Sequence, residues 1–122
     1  LLLEAVMESF EISVKEIVPG IPVVGFKCYL AGNGGEKLKE TIVPMLKSGK
    51  INIVINLAEC KTISSVGIAA LLEILMLILD DFKGEMVLTG LDKSKTVFLE
   101  MTGILPLAPT AANVEDACKM LE

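Results

Sequence analysis

The sequence predicts an α/β domain, a single mixed β-sheet flanked by helices in the order β-β-α-β-α-β-α-(β)-α. Three observations carry this reading. The chain has 122 residues, 52% of them hydrophobic and 22% charged, which is the size and composition of one folded domain and not of a disordered chain. The run Ile51–Leu57 (INIVINL) is apolar on both faces apart from Asn52 and Asn56, as a central strand reads when both sides of its sheet are covered. Strand-like segments then alternate with helix-like ones, so parallel pairs joined by right-handed crossovers are expected. No internal repeat, low-complexity tract or long linker interrupts this order.

The elements follow from hydrophobic spacing and turn chemistry. From Phe10 to Ile17, Phe10, Ile12 and Val14 alternate with Glu11, Ser13 and Lys15, the period of a half-buried strand. Pro19-Gly20 marks a turn, and Val23–Leu30 is the next strand, paired with the first as an antiparallel hairpin. Gly32-Asn33-Gly34-Gly35 reads as a loop. Glu36–Leu46 places Leu38, Ile42, Met45 and Leu46 on one helical face, and Gly49 closes that helix. After the central strand, Ala58–Ile63 is a connection and Ser65–Phe82 a long helix. Glu85–Thr89 is a strand, Ser94–Met101 a short helix stopped by Gly103, Leu105–Ala108 a last short strand, and Val114–Leu121 a terminal helix. Residues 1–9 are read as an N-terminal extension, poorly ordered or left from cloning, with Met7 as an alternative start, and residues 10–122 as the domain.

Composition removes several function classes. The formal net charge is -5 and there is no basic cluster, whereas non-specific nucleic-acid binding rests on Lys and Arg neutralising phosphates. The same balance disfavours an anionic membrane surface. The greasy stretch Val66–Leu79 is broken by Glu73 and followed by Asp80-Asp81, short of the about 20 apolar residues of a membrane span. Leu1–Val6 is too short, and lacks the basic start, for a signal peptide. The expected location is therefore the cytoplasm, with neither nucleic acid nor membrane as partner.

There is no histidine, which excludes Ser-His and Cys-His nucleophiles and every His-ligated metal. Cys28, Cys60 and Cys118 form no C-x-x-C pair and are expected as reduced thiols. Gly32–Gly35 lacks the third glycine of a dinucleotide loop, because Lys37 stands there. Gly49-Lys50 lacks the rest of a P-loop. No catalytic residue, metal or cofactor is therefore expected, and the protein is read as a non-enzyme.

The long helix carries the anomaly that points to function. Ile68, Leu71, Leu72, Leu75, Leu79 and Phe82 form its core stripe. The opposite stripe, Val66, Ala69, Ala70, Glu73, Met76, Leu77 and Asp80, begins small and apolar where a surface helix would be polar. Either a neighbouring element covers it or another protein docks there. Ser64 and Ser65 stand at its N-terminus, where a serine hydroxyl caps an orphan N–H. One serine can cap while the other is modified, and the helix dipole tolerates added negative charge at that end.

At these residues the chain resembles the anti-sigma-factor antagonists, or STAS domains, of bacteria. Asn56-Leu57-Ala58-Glu59-Cys60-Lys61-Thr62-Ile63-Ser64-Ser65-Val66-Gly67-Ile68-Ala69-Ala70-Leu71-Leu72 looks like the family's strand, loop and helix start, where the usual pattern is Asp-Ser-Ser/Thr/Ala-Gly-Leu-Gly and then apolar residues. Gly84-Glu85-Met86-Val87-Leu88 resembles its next strand, and Val97–Ile104 its helix ending in Thr/Ser-Gly-Leu. The resemblance implies a STAS-like fold over residues 10–122. It implies that an anti-sigma factor, itself a serine kinase, phosphorylates Ser65. The unphosphorylated protein would bind that partner through Ser64, Val66, Gly67, Ala69, Ala70 and Glu73 and so release the sigma factor. Ser64 stands where the family has its aspartate, and Ala31 where a second acidic residue follows Leu30. The alternative is a STAS scaffold or regulatory interaction module without a phosphoswitch, in a larger bacterial signalling assembly or paired with a second copy as a homodimer.

Overall fold

The computed structural model describes residues 10–122, so the reading of residues 1–9 lies outside the described residues. β1 (Phe10–Val18) and β2 (Ile21–Leu30) form the expected antiparallel hairpin about Pro19-Gly20, with Gly20 at φ +87°. α1 (Gly32–Lys47) crosses to β3 (Asn52–Asn56), which pairs parallel to β2. β4 (Cys60–Ile63) leads into α2 (Ser65–Met76), β5 (Glu85–Thr89) pairs parallel to β3, and α3 (Lys93–Thr102) follows. β6 (Thr110–Ala111) pairs parallel to β5, and α4 (Val114–Leu121) ends the chain. The sheet order is β1-β2-β3-β5-β6, with β4 also on β2.

The period of two along the central strands divides the core. Val24, Phe26, Ile53, Ile55, Met86 and Leu88 face one layer with Leu38, Ile42 and Leu46 of α1, Ile68, Leu71 and Leu75 of α2 and Leu99 of α3. Val23, Val54 and Val87 face the other side, under Ala117, Cys118 and Leu121 of α4. This double cover explains the unbroken apolar run of β3. Its two asparagines lie at the strand ends, where Asn52 Oδ1 accepts from the Glu85 N–H at 3.1 Å and Asn56 Oδ1 from the Ala58 N–H at 3.0 Å.

Several expectations are corrected. Gly32–Gly35 is the first turn of α1 and not a loop. A Cβ on Gly34 would lie 2.7 Å from the Phe26 ring, and one on Gly35 2.6 Å from Ala70 Cβ, so the glycines are there to let α1 approach β2 and α2, and packing overrides their poor helix propensity. Ala58–Ile63 holds a strand: β4 pairs parallel to β2 through Cys28 with Cys60, Tyr29 with Thr62 and Leu30 with Ile63. Because β1 occupies the other edge of β2 at Cys28, β4 continues the lane that β3 began.

The long helix is α-helical only to Met76 and turns wider from Leu77 to Asp81, where the Phe82 N–H reaches the Leu77 carbonyl at 3.1 Å. Its core stripe also differs: Ile74 and Ile78 are fully buried, while Leu72, Leu79 and Phe82 are half-buried. The last strand is Thr110–Ala111, not Leu105–Ala108, which forms turns that bury Ile104 and Ala108. In β1, Phe10 and Ile12 are half-buried as expected, but Val14 is 48% exposed on this edge strand.

Candidate functional site

The candidate site is the tip where β4 ends and α2 begins. The Ser64 N–H donates to the Leu30 carbonyl at 2.9 Å, which ties the turn to the end of β2. Ser64 has extended backbone, and its Oγ accepts from the Gly67 N–H at 3.1 Å, while its carbonyl accepts from the Ile68 N–H at 2.9 Å. Ser64 is thus the N-cap, in the place and with the geometry of an aspartate cap. Ser65 is the first helical residue, and it is exposed.

Gly67 is buried at the closest approach of α2 to β2. A Cβ there would lie 2.2 Å from the Leu30 carbonyl oxygen, inside the contact distance of any real side chain. The glycine therefore permits the Ser64–Leu30 bond and holds the helix tip against the sheet. Of the residues the sequence assigns to a binding surface, Val66 is 58% exposed and Ala69 is exposed beside it on the helix.

Two further members of the stripe are engaged within the molecule. Ala70 is half-buried against Gly35 of α1. Glu73 is exposed, but its carboxylate accepts from the Lys39 ammonium at 2.9 Å across the α1–α2 pair. The hydrogen bond to Glu73 first, and its negative charge second, push the Lys39 ammonium above the ordinary lysine range. α1 thus covers the inner flank of the stripe; Val66 and Ala69 stay open beside Ser65 at the helix start, and Met76 and Asp80 are exposed further along. The sequence holds no local sign of this, because Lys39 and Glu73 are 34 positions apart.

The open surface extends further than the sequence indicates. A cleft of about 310 Å³ between β4 and α3 is lined by Lys61, Thr62, Ile63, Ser94, Lys95 and Phe98. Phe98 is 39% exposed, and Val97 and Met101 on the same short helix are 48% and 81% exposed. Ile63 joins this cleft to the Ser64–Ser65 tip. The signal for α3 was present: four apolar residues, Val97, Phe98, Leu99 and Met101, within one and a half turns, of which only Leu99 enters the core.

Ala31 is half-buried at the N-cap of α1, with no side-chain cap on that helix and no acidic residue in its first turn. Among the described residues, no group of three or more His, Cys, Asp or Glu stands together as a metal site, and no helix is long and apolar enough to cross a membrane.

A family model described as STAS domain matches residues 13–117. No curated protein matches. Three of the solved structures that share the fold illustrate its range. An anti-sigma factor antagonist from Mycobacterium paratuberculosis is 18% identical, with a TM-score of 0.77 over 93% of this chain and 95% of the other. The Bacillus cell fate determinant SpoIIAA in its phosphorylated form is 17% identical, with a TM-score of 0.72 over 92% of this chain and 100% of the other. A sulfate transporter family protein from Wolinella succinogenes is 13% identical, with a TM-score of 0.75 over 88% of each chain.

Proposed function

Since the chain belongs to the STAS domain family, we propose that it is an anti-sigma-factor antagonist, bound to an anti-sigma factor with serine-kinase activity and released from it by phosphorylation of Ser65. The observation that supports this reading is an exposed serine on the first turn of a helix that a different serine already caps, next to the exposed Val66 and Ala69. The likeness to SpoIIAA, a protein solved in a phosphorylated form, supports it further.

The chemistry of the switch is electrostatic. A phosphate on Ser65 adds a charge of about -1.5 to -2 at a helix N-terminus, where exposed N–H groups and the dipole accept it. The fold is therefore left standing. A partner resting on Val66 and Ala69 would have to strip water from that charge. A loss of about 3 kcal/mol is more than a hundredfold in affinity, enough to separate the complex. In this reading the protein is a substrate of a kinase and not an enzyme, acts in the cytoplasm, and uses no cofactor, nucleic acid or membrane. The test is incubation with the partner kinase and ATP, followed by intact-mass spectrometry. One phosphate is expected on the wild type and none on Ser65→Ala. No phosphate, or the same phosphate on both, overturns the reading.

A second reading, a STAS scaffold without a phosphoswitch, is favoured by one specific feature. Both acidic positions that the family keeps near this tip are uncharged here, Ser64 serving only as a cap and Ala31 capping nothing. No carboxylate at either position then helps a kinase to place the Ser65 hydroxyl. Partner binding by the wild type, Ser65→Ala and Ser65→Asp separates the two. The switch requires Ser65→Asp to bind at least about a hundredfold more weakly. The scaffold requires all three to bind alike.

A further inference from the structure

Cys28 and Cys60 are far apart in sequence, and composition alone reads them as separate reduced thiols. The fold brings them together. They are directly opposite in the parallel pairing of β2 with β4. Neighbouring strands run about 4.8 Å apart, which lies inside the window of about 4.4–6.8 Å that two Cα atoms must meet to carry a disulfide.

The backbone at this point is unusual on both strands. Cys28 has φ +74°, and Lys83 is the only other non-glycine residue among those described with a positive φ. An L residue with a side chain rarely adopts that region. The register also slips between Cys28 and Tyr29, so Cys28 stands at an irregularity. The Cys28 N–H is held by the Glu59 carbonyl at 3.0 Å, which keeps the two strands in contact there.

Both cysteines line one open cavity of about 540 Å³, together with Lys27, Glu59, Lys61 and Lys95. Cys28 is half-buried and Cys60 buried, so a small oxidant in that cavity meets Cys28 first. Burial also pushes the Cys60 thiol up, which disfavours it as the thiolate that meets the oxidant.

We propose that Cys28 and Cys60 are a reversible dithiol–disulfide site that ties β4 to β2, formed by a peroxide. The Cys28 thiolate attacks the peroxide O–O bond. An S–O bond forms, the O–O bond breaks, and the departing hydroxide takes a proton and leaves as water. The Cys60 sulfur then attacks the Cys28 sulfur. The S–S bond forms, the S–O bond breaks, and the hydroxyl leaves with the Cys60 proton as a second water. Two thiols are oxidised by two electrons in all, and one peroxide is reduced to two waters. The bond joins the strand that feeds Ser64 to the strand whose Leu30 carbonyl holds it. Cys118 is part of α4, on the other face of the sheet, and takes no part.

The experiment treats the full chain with hydrogen peroxide, caps remaining thiols with N-ethylmaleimide, and maps the unreduced digest by mass spectrometry. The expected result is a monomer that has lost two of its three free thiols, with a Cys28–Cys60 linked peptide that dithiothreitol separates. Cys28→Ser abolishes the linked peptide. Cys60→Ala leaves Cys28 to go on to sulfinic acid. The proposal is overturned if Cys60 remains fully capped after Cys28 has been oxidised, or if the link forms between molecules. The wild-type map decides the matter even where a variant does not fold.

Discussion

Ser64 and Ala31 hold the same position on two helices, and only one of them caps. Ser64 Oγ accepts from the Gly67 N–H, whereas α1 starts at Ala31 with its first N–H groups without a side-chain acceptor. Ser64→Ala is therefore expected to lower stability by about 1 kcal/mol, and Ala31→Asp to raise it by about the same amount. Denaturant midpoints at constant slope measure both. If Ser65 is the modified residue, Ser64→Ala still gains its phosphate, so capping and modification separate in one variant. The two serines at the start of α2 were legible in the sequence because capping is local chemistry. The buried position of Gly67 against the Leu30 carbonyl was not legible, because the partner strand is more than thirty residues away and nothing beside the glycine announces it.

The pair of helices α1 and α2 shows how elements answer one another. The small residues Gly35 and Ala70 let them touch, and Lys39 with Glu73 closes the outer edge. Because Glu73 raises the affinity of Lys39 for its proton, the pair adds stability while Glu73 is a carboxylate and Lys39 an ammonium. That stability is lost as pH rises through the raised value. Glu73→Gln is expected to melt below the wild type at neutral pH, with the gap closing in strongly alkaline buffer and also in high salt, since the pair is exposed. Thermal scans across pH and ionic strength check this. Periodicity revealed the existence of both helices. It missed the glycine-rich first turn of α1, where tertiary approach outweighs propensity, and it ran α2 straight through Leu77–Asp81, where the turn widens, and left the buried Ile74 and Ile78 out of the core stripe. It also read the last strand several residues early, since Leu105–Ala108 is apolar for packing and not for pairing.

For the molecule as a whole, the sheet is protected from the middle outwards. β3 and β5 are covered on both faces, β1 is an edge with Val14 and Ile17 exposed, and β6 is two residues long. Native-state hydrogen exchange is expected to be slowest at Val54, Ile55, Val87 and Leu88 and fastest in β1 and β6. Comparable rates across all strands would contradict this layering. The α/β class and the central strand were legible at this scale because double cover leaves its mark on composition. The lane shared by β3 and β4 was hidden, because Leu57–Glu59 interrupts it and the second half is only four residues long. The approach of Gly67 to Leu30 has a consequence for the proposed modification of Ser65. The tip of α2 is bolted to the sheet, so a group attached at Ser65 has no hinge to pull and no distant surface to rearrange. Modified and unmodified forms should superimpose, and a reader of the mark must touch it.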